Sequence, residues 1–333
     1  MSLVEKNLDE WIDFSQIRSV ENVSIIPISI RGNVRHESLA RSLDKKKIQI
    51  LESENVNDLK LEVKKNGMPI LIPFLQIVGG GKQDRMITRP IIIPVQVKDT
   101  VINIPVNCIE QGRWSYYRYS GNSTSPDFYV HKMVRMSPSL GSLNYRSRQR
   151  QTWSSINYHK HKLNMHDLKF SSSSYMEMGE ELAGDIASGK QERVKIKKEI
   201  TEFLKNGNKL IENQCGLALF IDNRLIGIEI YGSPQIWDDQ AESVINSFLT
   251  ELVIRDSKNE QIDNKKIEGE FHKTIKNMAL IENKDKSIGV GKLYNTDEKE
   301  NYSAFYLEDE NQMVEFYFAT KFVEAEKEIY GEN

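Results

Sequence analysis

The chain has 333 residues, 39% hydrophobic, 28% charged and 9% aromatic, with a formal net charge of −3. That is the profile of an ordinary globular chain with material for one large core or two smaller ones. Two cysteines, Cys108 and Cys215, exclude a disulfide framework, no run approaches the roughly 18 apolar residues of a membrane span, and the first residues lack the pattern of a signal peptide. A reducing cytoplasm without membrane attachment is the expected setting.

The small total hides a strong asymmetry: residues 1–81 are balanced, residues 82–169 carry +9 and residues 170–333 carry −12. A basic middle predicts an anionic partner, a phosphate or nucleotide, with nucleic acid a less favoured option. The plain alternative is that the basic segment packs on the acidic one within the chain or in a homo-oligomer.

In chain order, residues 5–20 hold a short helix at most, and Val23–Ile30 reads as a strand whose Pro27 favours an edge or a bulge. His36–Leu43 predicts a short helix before a strand at Ile48–Leu51. Leu59, Leu61 and Val63 alternate with charged neighbours, the period of a half-buried strand, and Asn66-Gly67 signals a turn before Pro69–Pro73. Phe74–Val78 runs into Gly79-Gly80-Gly81, where the backbone needs unusual dihedrals or a close approach. Pro90–Val97 and Val101–Cys108, parted by Lys98-Asp99-Thr100, read as a central hairpin. Cys108 continues the apolar face of the second strand, which makes it a small buried hydrophobe.

Beyond a loop over residues 120–126, a helix is expected from Tyr145 to about Leu163, a second over 175–187 and a charged third over 191–205. Cys215–Ile221 and Leu225–Tyr231 form another hairpin. Ser233 and Pro234 then open the helix whose buried stripe is Trp237, Ala241, Val244, Ile245, Phe248 and Leu249. Phe271, Ile275 and Met278 mark one more helix, and three strands from Ile288 to Phe318 close the chain as a meander. The fold class is α+β: a β-rich N-terminal half, a helical middle and a C-terminal hairpin, helix and meander. One compact domain over 1–333 is expected, with a β-rich part over 20–135 that carries the site and a helical and mixed part over 140–333.

The polar residues concentrate at two places. The glycine turn bears Lys82, Gln83 and Arg85, where backbone N–H groups, a point charge and a planar fork suit a phosphate. Glu110, Arg113 and Trp114 follow the Val101–Cys108 strand, with Glu110 as general acid or base and Arg113 as an anion clamp. Gln149 and Trp153 line the same cleft from a helix, with Arg135 as a further cation. Tyr116, Tyr117 and Tyr119 around Arg118 offer a surface on which a base could stack. The plain reading of the same residues is a structural ion-pair network. His159, His161 and His166 lack ligand partners at zinc spacing and read as a solvated helix end, so no metal is expected and no cofactor is predicted. Walker A, spaced-glycine dinucleotide and serine-nucleophile motifs are missing from the sequence.

Gly81-Lys82-Gln83-Asp84-Arg85, the run Pro105–Trp114, and Gln149 followed by Trp153 together resemble the ADP-ribosylglycohydrolase- and rhodanese-phosphatase-associated protein domain family, a prokaryotic group without an established reaction. Gly216–Gly232, the Gly289–Lys292 strand and Met313–Phe318 extend the resemblance along essentially the whole chain. Asp84 stands where the family is expected to favour asparagine, and its carboxylate partly neutralises an anion site. The resemblance implies a context of NAD and ADP-ribose chemistry or of prokaryotic conflict systems. Three functions follow as expectations: binding of a phosphorylated nucleotide-type ligand, with turnover through Glu110 left open; a non-catalytic interaction or oligomerising protein; and binding of single-stranded nucleic acid.

Overall fold

The computed structural model describes residues 8, 10–30, 34–53, 55–110, 128–138, 149–165, 175–188, 210–255, 258–283, 289–297 and 300–321. Arg113, Trp114, the Tyr116–Tyr119 cluster, His166 and the helix expected over 191–205 lie outside them.

The chain opens with β1 (Arg18–Val20), β2 (Val23–Ser29), β3 (Glu37–Ser38), α1 (Leu39–Asp44), β4 (Ile48–Leu51) and β5 (Asp58–Val63). Six further strands and two helices follow: β6 (Ile70–Ile72), β7 (Gln76–Gly79), β8 (Arg85–Ile87), β9 (Ile91–Ile93), β10 (Thr100–Cys108), β11 (Tyr129–Arg135), α2 (Gln149–Met165) and α3 (Tyr175–Ser188). The remainder comprises β12 (Gln214–Ile221), β13 (Arg224–Tyr231), α4 (Pro234–Ile254), α5 (Asn264–Asn277), β14 (Ile281–Glu282), β15 (Lys292–Asn295), β16 (Tyr302–Asp309) and β17 (Gln312–Thr320). The protein is an α+β fold.

Among the described residues the strands form three sheets: eight strands ordered β1-β2-β12-β13-β17-β16-β15-β14, six ordered β11-β7-β8-β10-β5-β4, and three ordered β3-β6-β9. The large sheet joins the two ends of the sequence, because β2 pairs antiparallel with β12 while β13 pairs with β17. It is covered on both faces. Leu217, Leu219 and Ile221 of β12 pack towards α4, whereas Ala218 and Phe220 face the side covered by Ile267, Phe271 and Ile275 of α5. Burial on both faces is why these strands read as continuous apolar runs rather than alternating ones.

The helix start read from Ser233-Pro234 is present: Ser233 Oγ accepts the Ile236 N–H at 3.3 Å and Pro234 occupies the first turn. Trp237, Ala241 and Val244 are fully buried beneath it, and a large apolar side chain so placed contributes about 1.5–3 kcal/mol. The β5 alternation also holds, with Leu59, Leu61 and Val63 at 0% exposure and Lys60 outward.

The pairing expected between 90–97 and 101–108 is corrected. β9 pairs with β6 in the small sheet, and β10 pairs with β5 along Thr100–Pro105 and with β8 along Val106–Cys108. The central hairpin is instead β7–β8, folded about the glycine turn. Pro90 and Pro94 bracket β9 and each lacks an amide hydrogen, which limits the ladder this short strand can extend.

Candidate functional site

The β7–β8 turn is built by its glycines. Gly81 has φ of +63°, and a Cβ there would come 2.5 Å from the Phe128 ring and 2.7 Å from Glu52 Oε2. Asp84 Oδ1 accepts the Gly80 N–H at 3.1 Å, which closes the turn on itself. Glu52 Oε2 takes the Lys82 N–H at 2.7 Å. The Lys82 side chain is half-buried, while Gln83, Asp84 and Arg85 are buried.

Because β8 and β10 run antiparallel with Arg85 opposite Cys108, Glu110 is brought against the glycine turn at one end of the six-stranded sheet. Glu110 Oε2 accepts the Asp84 N–H at 3.1 Å, and the Glu110 carbonyl accepts from Gln83 Nε2 at 3.4 Å. Arg85 is fully buried and donates through Nη2 to Glu52 Oε1 at 2.5 Å. The amide of Gln149 bridges the main chain of Cys108, accepting its N–H at 2.7 Å and donating to its carbonyl at 2.5 Å. One residue back on β10 and three residues further along α2, Asn107 Nδ2 donates to Thr152 Oγ1 at 2.8 Å. Gln149 and Thr152 therefore dock α2 on the end of β10, and Trp153 stands beside the thiol. Burial drives the Cys108 thiol up to about 11, with the Glu110 backbone N–H, Arg85 and Trp153 pulling the other way. The thiol is the small buried hydrophobe its alternation indicated.

Glu52, Asp84 and Glu110 bring three carboxylates to this cluster, against the two cations Lys82 and Arg85. Arg85 is paired with Glu52, and the carboxylates outnumber the cations in this cluster. Glu110, anchored by a backbone amide at the end of a sheet, has the fixed position that proton transfer requires.

Arg135 belongs elsewhere. Its guanidinium donates to Glu229 Oε1 at 2.5 Å, to the Tyr231 hydroxyl at 3.2 Å and to the Phe74 carbonyl at 3.0 Å, all buried. Tyr231 also donates to Glu229, and Glu315 Oε1 accepts the Phe74 N–H at 3.1 Å. Burial and the neighbouring Glu229 charge hold the Glu315 carboxyl well above the usual carboxylate range. Burial lowers the Arg135 guanidinium, but the charge of Glu229 overrides it and the net shift is upward. Two carboxyls, one cation and a tyrosine are thus locked between the large and middle sheets. Sequence reasoning missed Glu229 and Glu315; the signal was a carboxylate inside the apolar runs Leu225–Tyr231 and Met313–Phe318, where no polar alternation exposes it.

His159 is likewise a correction. It is not at a solvated helix end but has 0% exposure, and burial lowers its imidazole to about 3. His161 is exposed. Thr152, Ser155, Ile156 and His159 step by three and four along α2 and are all buried, so this helix buries a largely polar face. Among the described residues no group of three or more His, Cys, Asp or Glu side chains is placed to hold a metal ion. No helix among the described residues is long and apolar enough to cross a membrane.

The comparison with protein families agrees with the motifs that meet at β8 and β10. The model of the ARG and Rhodanese-Phosphatase-superfamily-associated Protein domain, ARPP-1, matches residues 12–318. The chain belongs to the ARPP-1 family. The match spans all three sheets, so the ARPP-1 domain includes both the turn at Gly79–Arg85 and the buried Arg135 network. No curated protein and no solved structure matches the chain.

Proposed function

We propose that this ARPP-1 protein binds a phosphorylated nucleotide-type ligand, of the ADP-ribose or NAD kind, where the β7–β8 turn meets the end of β10. The observation that carries the reading is the Asp84 N–H to Glu110 Oε2 hydrogen bond, which joins the glycine turn to the Glu110 cluster. Lys82 and Arg113 supply the charge for the phosphates, Gln83 and Trp114 the flanking contacts, and Gln149 and Trp153 the wall from α2. Glu110 is the group for acid or base work on a glycosidic or phosphoester bond. Arg85 is assigned to the scaffold through Glu52, and Arg135 to the network with Glu229. The family's linkage to ADP-ribosyl glycohydrolase and rhodanese-phosphatase contexts supports this ligand class.

A thermal-shift panel against ADP-ribose, NAD, AMP, ATP, inorganic phosphate and a short single-stranded oligonucleotide tests it. A ligand at about 100 times its dissociation constant stabilises the folded state by roughly 2.7 kcal/mol. The expected result is a shift with one nucleotide class that Lys82→Ala and Arg113→Ala abolish and Glu110→Gln retains. No shift with any ligand overturns the reading. A salt-sensitive shift with the oligonucleotide alone would transfer it to nucleic acid.

A second reading, a non-catalytic protein whose polar cluster is structural, is favoured by the pairing of the fully buried Arg85 with the partly buried Glu52 and by the Gln149 bridge to Cys108. It predicts that Glu110→Gln lowers the melting temperature and that no nucleotide restores it.

A further inference from the structure

Residues 58–72 and 91–105 form one long two-stranded ribbon, bent between its halves. β10 pairs with β5 from Thr100 opposite Val63 to Pro105 opposite Asp58, and β9 pairs with β6 from Ile93 opposite Ile70 to Ile91 opposite Ile72. At the bend the Asn66 N–H donates to the Gln96 carbonyl at 3.1 Å. Among the described residues the outer edge of the 91–105 strand is met only near its two ends. Thr88 donates to the Pro105 carbonyl, from its N–H at 3.5 Å and its Oγ1 at 3.3 Å, and the Val290 N–H donates to the Ile92 carbonyl at 3.1 Å. Between them no described strand pairs with this edge.

The alternation of a strand fixes which main-chain groups face that opening. The Val106 N–H donates to the Asn57 carbonyl at 2.9 Å, on the β5 side, so Ile102 and Ile104 turn their amides and carbonyls the same way. Val101 and Asn103 turn theirs outward. Pro105, whose carbonyl meets Thr88, belongs to the outward series and has no N–H to leave open. The side chains are exposed as well: Val95 by 48%, Val97 by 82% and Val101 by 58%, with Met68 in the bend. These are four of the eight large apolar side chains exposed among the described residues. A β-branched edge with open main-chain groups is a template for a further strand.

Charge decides what that strand should carry. Lys60, opposite Asn103, and Lys65 and Lys98 at the bend are exposed and have no ion pair among the described residues. Glu62 and Asp99 are both held by Lys64, at 2.6 Å and 3.2 Å. Four lysines thus stand against two carboxylates. A second copy pairing antiparallel along this edge would set like charges against each other, whereas an acidic strand would meet opposite ones.

We propose that the open edge from Val95 to Asn103 takes an extended acidic segment of a partner protein as an added strand. The main-chain groups of Val101 and Asn103 hydrogen-bond to it, Val97 and Val101 supply apolar contact, and Lys60, Lys65 and Lys98 face its carboxylates. This goes beyond the nucleotide reading and shares no residue with the Lys82–Glu110 cluster, so either can fail alone.

The test is NMR on the intact nitrogen-labelled protein, titrated with a heptapeptide, blocked at both ends, that alternates glutamate with valine. It is expected to shift the Val101 and Asn103 amides saturably and to slow their exchange with solvent about tenfold. The same peptide methylated on every main-chain nitrogen, and a lysine–valine peptide, are each expected to bind about tenfold more weakly, roughly 1.4 kcal/mol. Methylating the probe leaves the protein unaltered, so that comparison does not depend on any variant folding. Asn103→Pro removes an outward N–H that β5 does not use, so it should keep its melting temperature and lose the peptide. Lys98→Glu should weaken the acidic peptide and strengthen the basic one. No saturable shift, equal binding of the methylated peptide, equal binding of the basic peptide, or undiminished binding to a folded Asn103→Pro overturns the proposal. Protection of the same amides that grows with protein concentration, with no peptide present, overturns it in favour of a second copy. Co-sedimentation with phosphatidylserine vesicles that Lys98→Glu abolishes, without any peptide binding, overturns it in favour of a membrane surface.

Discussion

Arg135→Met tests the core network through the most heavily committed cation in the protein. The Arg135 and Glu229 side chains are 1% and 0% exposed, so neither has water to fall back on. The substitution removes donors to Glu229, Tyr231 and the Phe74 carbonyl together. Breaking a buried ion pair by deleting one partner costs about 3–5 kcal/mol, because the remaining charge is left uncompensated. Glu229→Gln in the same chain removes the orphaned charge, and the double variant should recover a large part of the loss. Guanidinium unfolding followed by tryptophan fluorescence measures all three. A single-variant loss below about 1 kcal/mol, or a double variant as unstable as the sum of the singles, would refute the account of a mutually compensated buried network.

Three further outcomes follow from the same geometry. Burial and the Glu229 charge keep the proton on Glu315 in the folded state well above the ordinary carboxyl value of 4.5; its contribution is complete below that value and fades as pH climbs towards the folded pKa. Glu315→Gln should therefore gain stability over the parent protein between pH 4.5 and 8, by up to roughly 1.4 kcal/mol per unit; parallel stability profiles would contradict this. Gln149→Ala removes both hydrogen bonds to Cys108 and should cost about 2–3 kcal/mol, with exchange of the Cys108 amide accelerated; an unchanged amide would show that α2 is not held there. Cys108 and Cys215 are both at 0% exposure, so a disulfide reagent should label neither thiol in the native protein and both after denaturation, and rapid native labelling of Cys108 would reopen a nucleophilic role.

What the sequence disclosed depended on how local the determinant was. Ser233 and Pro234 state the start of α4 within a few residues, and the stripe from Trp237 to Leu249 states its buried face. The alternation in β5 is similarly self-contained. Partner choice among strands is not local: nothing near Val101–Cys108 says that its first half meets β5 and its last three residues meet β8. Glu110 reaches the Lys82 turn through the pairing of β10 with β8 rather than through a hairpin with residues 90–97. Polar burial was the other blind spot. Thr152, Ser155 and His159 look like a wet helix face until α3 and α4 are packed beside it, and Glu52 carries no mark in its own segment of its pairing with Arg85 across 33 residues.

The most direct test of the central claim is a calorimetric titration of ADP-ribose into the full chain and into Lys82→Ala, with the melting temperature of each recorded alongside. Saturable binding to the parent chain that is lost in Lys82→Ala while its melting temperature is kept would bear out a nucleotide site at the turn beside Glu110. Absence of binding to the parent chain, or undiminished binding to the variant, would contradict it.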